Sequence, residues 1–202
     1  MPVPTHAALP PSHPMPVIQT MLIASVLLVG SNAYAGPKEE VKAAFGKFLA
    51  AKSYHVTMTH SGAQAMTIQT DFVAPDRYRM QMPMGTQYII GDTMVMSIQG
   101  RSIKVPMGKG TLTQWRDPGN LAKSQATLTV TSLGSELVDG KPAKKYRMRN
   151  TQPQPSESTM WIGGNGYPLQ ITVDGRAGGT HTTTTLRYSR FNDPAIRVEP
   201  PK

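Results

Sequence analysis

Methionine is the residue whose number and spacing stand out. Eight of the 13 methionines lie between Met58 and Met107, and seven of those eight occupy even positions. Tyr54, Ile68, Phe72, Tyr88 and Ile98 share that parity, and the charged side chains of the same segments fall on the other. Successive side chains of an extended chain point to opposite faces. Met58, Met66, Met80, Met82, Met94 and Met96 are therefore expected on one face with Tyr54, Ile68, Phe72 and Tyr88. A core built for stability uses Leu, Ile, Val and Phe, whereas methionine is unbranched, polarizable and over-used on surfaces that adapt to variable ligands. Such a face offers binding of flexible apolar groups such as acyl chains. Ordinary packing by a methionine-rich chain is the competing reading.

Other chemistry is thin. Lys145, Arg147 and Arg149 alternate and so share a face, either as a solvated strand surface or as a contact for anionic head groups or an acidic partner. No G-x-S-x-G, H-E-x-x-H or Gly-rich phosphate loop occurs. His55 and His60 are five apart on an extended segment, which points them to opposite faces and away from a shared metal. His181 adjoins a glycine pair and reads as exposed. Asp71, Asp76 and Asp92 fall on the outward parity or in turns, where Asp is normally structural. The chain has no cysteine, which excludes a disulfide framework, a thiol nucleophile and a Cys-ligated metal. The expectation is a non-enzyme with no metal and no cofactor.

The elements that position these residues follow from period. Pro37-Lys38-Glu39-Glu40 opens a helix, with proline in the first turn and two Glu at the positive end of the helix dipole. Val41, Ala44, Phe45, Phe48 and Leu49 then recur at helical spacing. From Tyr54 the period becomes 2. Half-buried strands are expected around 54–59, 66–72, 77–82, 88–90 and 94–98, with Gly91-Asp92 as a turn. Residues 109–120 read as a loop, and Asp117-Pro118 opens a short helix to about Lys123. Strands resume over 126–138, 144–149, 159–162, 167–173 and 180–188, with turns at Asp139-Gly140, Gly163-Gly164-Asn165-Gly166 and Gly178-Gly179. The count is nine to eleven strands, one clear helix and one short one.

The chain has 202 residues, 21 Lys+Arg against 12 Asp+Glu, and 18 each of Gly and Pro. That composition disfavours a helical bundle, because Gly and Pro both interrupt helices. No Lys, Arg, Asp or Glu precedes Lys38. Within that uncharged stretch Val17 to Val29 is largely apolar, and Ala33-Tyr34-Ala35 forms an A-x-A cleavage pattern before Gly36. A helix of that length reaches only about 20 Å, short of a ~30 Å hydrocarbon core. Residues 1–35 are thus expected to be a cleaved secretory signal, with Met15 as an alternative start, and residues 36–202 a single domain. Export makes nucleic acid an improbable partner and turns the net charge of +9 towards anionic lipid, peptidoglycan or an acidic protein.

The order signal, helix, long meander and hairpins resembles the periplasmic lipoprotein-carrier superfamily (LolA/LolB-like). Four segments carry the resemblance and together touch most of residues 36–202. They are Phe72-Val73-Ala74-Pro75-Asp76-Arg77-Tyr78-Arg79, Tyr88 to Val95, Gly140 to Tyr146 with Met160-Trp161-Ile162 and Tyr167-Pro168-Leu169, and Tyr188 to Pro200. Membership implies a mainly β (α+β) fold: a curved, incomplete antiparallel barrel with a helical cover over a hydrophobic cavity that accepts acyl chains. Two departures stand out. The residue before the turn proline, arginine in the lipoprotein carrier, is Ala74. A lipidation cysteine is also missing.

The expected role is a soluble, exported, periplasmic carrier or binder of a lipid or acylated protein, holding acyl chains in the methionine-rich cavity. The alternative is an envelope-sensing regulatory domain of the same fold that binds a protein partner. A membrane surface or an envelope protein is a further expected contact.

Overall fold

Helix α1 (Pro37–Ala50) forms where the sequence places its signals. Gly36 is the N-cap, Pro37 starts the first turn, Glu39 and Glu40 lie in that turn and Lys47 in the last. The helix stops at Ala51, which is extended and returns its N–H to the Phe48 carbonyl at 3.2 Å. Val41, Ala44 and Phe48 are its buried stripe.

The computed structural model describes residues 36–62, 65–98, 101–108, 126–151, 155–177 and 180–200. The expected leader, the loop at 109–120 and the short helix to Lys123 lie outside the described residues. Among the described residues, no helix is long and apolar enough to cross a membrane.

Eleven strands follow the helix: β1 (Ser53–His60), β2 (Met66–Val73), β3 (Arg77–Met82), β4 (Gly85–Ile90), β5 (Thr93–Ile98), β6 (Arg101–Pro106), β7 (Thr129–Val138), β8 (Lys141–Asn150), β9 (Ser156–Gly163), β10 (Pro168–Ala177) and β11 (Thr180–Ser189). They form one sheet in the order β6-β5-β4-β3-β2-β1-β11-β10-β9-β8-β7. Every pairing is antiparallel. The sheet does not close: β6 and β7 are its two edges. Strand β6 has no counterpart in the period analysis. All six of its residues are exposed, and an edge strand of that kind offers only Ile103 and Val105 as an alternating signal.

Helix α1 covers one face of the sheet, and two apolar clusters lie beneath it. The first joins Phe48 and Ala51 to Tyr54, Val56, Phe72, Tyr78 and Ile89. The second joins Val41 and Ala44 to Tyr146, Met148, Met160 and Ile162. Phe72 and Met160 are fully buried; burying a side chain of that size contributes roughly 1.5–3 kcal/mol.

The register identifies which residues share the helix-side face. One row runs Tyr54–Phe72–Tyr78–Ile89–Met94–Val105, and the next Val56–Thr70–Met80–Gln87–Met96–Ile103. Beyond them Met58 pairs with Ile68, His60 with Met66, and Met82 with Gly85. Tyr88 is the exception among the expected residues. It pairs with Arg79 and Val95, so it stands on the far face. The cause is the β3–β4 hairpin. Its two-residue turn, Pro83-Met84, pairs even positions with odd ones, and parity inverts on β4 before the Gly91-Asp92 turn restores it on β5.

Candidate functional site

The helix-side face changes character along the strands. One end is filled by rings. Tyr54 stacks on Phe72 at 4.7 Å, Phe72 meets Tyr78 at 5.0 Å, and Phe48 meets Tyr54 at 5.0 Å and Tyr188 at 5.2 Å. Burial pushes the Tyr188 hydroxyl up to about 12, so it stays protonated inside this cluster. Met80 and Met94 pack against the same rings, and Met94 accepts a hydrogen bond at sulfur from Gln87 Nε2.

The other end is built from methionine. Met66, Met82, Pro83, Met84, Gln87 and Met96 are the main walls of a pocket of about 410 Å3. Its lining comes entirely from residues 65–66, 82–87 and 96–97, at the strand ends and the β3–β4 turn. None of these side chains carries a charge. The rim is exposed: Met84 is 86% accessible and Met66 42%. Three of the ten residues expected from the sequence, Met66, Met82 and Met96, therefore meet in one pocket. Met58 and Ile68 lie half-buried on the same face, and Tyr54, Phe72, Met80 and Met94 belong to the packed end. Pro83, Met84 and Gln87 are additional wall residues. The Met-Pro-Met sequence at a tight turn was the available signal for the first two.

Lys145, Arg147 and Arg149 share the far face of β8, as their spacing requires. Each holds a carboxylate of this chain: Lys145 meets Glu136 at 2.7 Å, and Arg147 and Arg149 meet Glu157 at 3.2 and 2.7 Å. Lys145 also lies 5.0 Å from the centre of the Trp161 ring. The arrangement is that of a self-paired strand surface.

The far face contains a buried carboxylate that the sequence does not announce. Asp71 is 6% accessible, accepts from His55 Nδ1 at 2.8 Å, and accepts from Arg79 Nε at 3.1 Å and from Nη2 of the same guanidinium. Burial alone raises its carboxyl; the hydrogen bonds from His55 and Arg79 outweigh that and hold it below the ordinary carboxylate value. Among the described residues, no group of three or more His, Asp or Glu is placed to hold a metal ion.

Among the described residues, one helix lies on one open antiparallel sheet, with an apolar pocket among the strand ends. The structure of LppX, a lipoprotein of Mycobacterium tuberculosis, superposes with a TM-score of 0.62 over 80% of this chain and 97% of LppX, at 15% identity. A Pseudomonas aeruginosa MucA/MucB complex gives 0.50 over 76% of this chain and 57% of the matched one, at 15% identity. This chain thus spans a little over half of that neighbour. A LolA-superfamily protein of Nitrosomonas europaea aligns over 83% of this chain and 96% of its own at 9% identity, with a TM-score of 0.31. At 15% identity the likeness to LppX and to the MucA/MucB structure is one of fold alone. No protein-family model matches the sequence, and no curated protein does.

Proposed function

We propose that the protein is an exported, soluble binder or carrier of a lipid or lipidated protein in the cell envelope, and that its acyl chains enter at the methionine end. The observation that carries this reading is the uncharged pocket of Met66, Met82, Met84 and Met96, which opens at an apolar rim while the opposite end of the same face is filled by rings. Methionine suits such a wall because its three rotatable bonds let it follow chains of different shape. The resemblance to the lipoprotein-carrier superfamily supports the same reading. So does the leader-like segment before Gly36.

The test is fluorescent fatty-acid binding to Met82→Gln and Met96→Gln. Each buried amide without a partner costs roughly 1–3 kcal/mol, or about one to two decades of affinity. Affinity should fall while the unfolding midpoint changes little, because a pocket wall is already partly wet when empty. Unchanged binding with lost stability would make these methionines plain packing. Mass spectrometry of lipid extracted from protein purified from its native envelope would then identify the cargo.

A second reading, an envelope regulatory domain that binds a protein partner, is supported by the likeness to the MucB structure solved with MucA. It predicts a stable stoichiometric complex with an envelope protein and no bulk transfer of lipid between vesicles.

A further inference from the structure

A second pocket, of about 440 Å3, lies at the other ends of the strands, between α1, β7, β8 and the β9–β10 turn. Its size falls in the ~300–1,000 Å3 range of small-ligand sites. Its lining is distinct from that of the methionine pocket and, unlike it, is charged: Glu40, Lys47 and Lys144 stand around an apolar floor that includes Ala43, Ala44 and Ile162.

The charges are not equivalent. Glu40 is already engaged, accepting from Lys144 Nζ at 2.8 Å and from the Tyr146 hydroxyl. Those bonds hold its carboxyl below the ordinary value, so it stands as an anion. Lys47 is two helical turns away, about 10 Å along the axis. Among the described residues its ammonium donates one hydrogen bond, to the Asn165 carbonyl at 2.9 Å, with the Tyr167 ring centre 5.7 Å distant. An ammonium has three donors, which leaves capacity for a ligand. Gly166 makes this placement feasible: its φ is +77°, and a Cβ there would sit 3.1 Å from Lys47 Nζ.

We propose that this pocket binds a short aliphatic carboxylate, with its anionic head on Lys47 and its hydrocarbon body along Ala43, Ala44 and Ile162. The reverse orientation would set the carboxylate against the Glu40 anion. The inference stands apart from acyl binding at the methionine end, because the two pockets are at opposite ends of the sheet.

The experiment is a titration of 15N-labelled protein with hexanoate, and with hexanamide as the neutral control of the same shape. Hexanoate should move the amide resonances of Gly163, Gly164 and Gly166. Hexanamide should bind about tenfold more weakly, the loss of one charge-assisted hydrogen bond. Lys47→Gln should weaken hexanoate to the level of the amide, and Lys47→Arg should retain binding. Tyr88→Ala, on the far face and away from both pockets, should leave the shifts of Gly163, Gly164 and Gly166 unchanged. Equal affinity for the acid and the amide, full affinity in Lys47→Gln, or shifts confined to the Met82 and Met96 end would each overturn the proposal. A failure of fatty acid to bind at the methionine end would leave it standing.

Discussion

Tyr167 stacks on Phe191, with ring centres 4.2 Å apart and planes 16° from parallel. The pair ties the β9–β10 turn to the segment that follows β11. Asn192 reinforces the tie through a bond from its Nδ2 to the Tyr167 hydroxyl at 2.8 Å and through its Oδ1, which accepts from the Lys52 N–H at 2.8 Å. Phe191 also meets Phe48 edge-on at 6.5 Å, so one half-buried ring links helix, turn and C-terminal segment.

Phe191→Ala should therefore destabilise the fold by about 2–3 kcal/mol, somewhat less than the ~3–5 kcal/mol of a fully buried phenylalanine. Urea unfolding followed by tryptophan fluorescence measures it. Phe191→Leu should recover about half the loss.

Tyr88→Ala should leave fatty-acid affinity as in the wild type, because Tyr88 stands across from Arg79 on the face away from the pocket. A loss comparable to that of Met82→Gln would show that the ligand lies on the far face.

Asp71 sets an acid limb. Its folded value lies below the ordinary one, so the stabilisation it provides is complete above about pH 4 and is lost as pH falls through the folded value. Asp71→Asn should be less stable than wild type at pH 7, and the gap should narrow steadily towards pH 2. Thermal unfolding across that range checks the sign.

Tyr188 sets an alkaline limb of opposite sense. Its hydroxyl is pushed up to about 12 by burial, so between about pH 10 and 12 the unfolded chain releases a proton that the folded chain retains, and stability falls. Tyr188→Phe should flatten that fall. Absorbance titration of the wild type should show a phenol ionising near pH 12 that the variant lacks.

Most of the architecture was legible because strand period and helix signals were strong over long segments. Pro37 with Glu39 and Glu40 marked α1, and the glycine-rich turns marked the hairpins. Parity was the weak link. A face can be read along one strand, but it is carried to the next only if the turn length is known, and the two-residue Pro83-Met84 turn moved Tyr88 to the far face. Strand β6 leaves no periodic mark because an exposed edge strand needs no apolar stripe. The burial of Asp71 depends on His55 from β1 and Arg79 from β3, partners that only the register brings together.

The strand order has a topological consequence. Along the sheet every neighbour is also a neighbour in sequence, except at the seam where β1 meets β11. Two local meanders, β1–β6 and β7–β11, are thus zipped together by a single pairing between the two ends of the domain. Closing that seam carries the main loop-entropy cost of folding and should be the late, slow step. A circular permutant that joins the ends beyond α1 and β11 and reopens the chain between β6 and β7 would turn the seam into a local connection. It should keep the same sheet and fold faster.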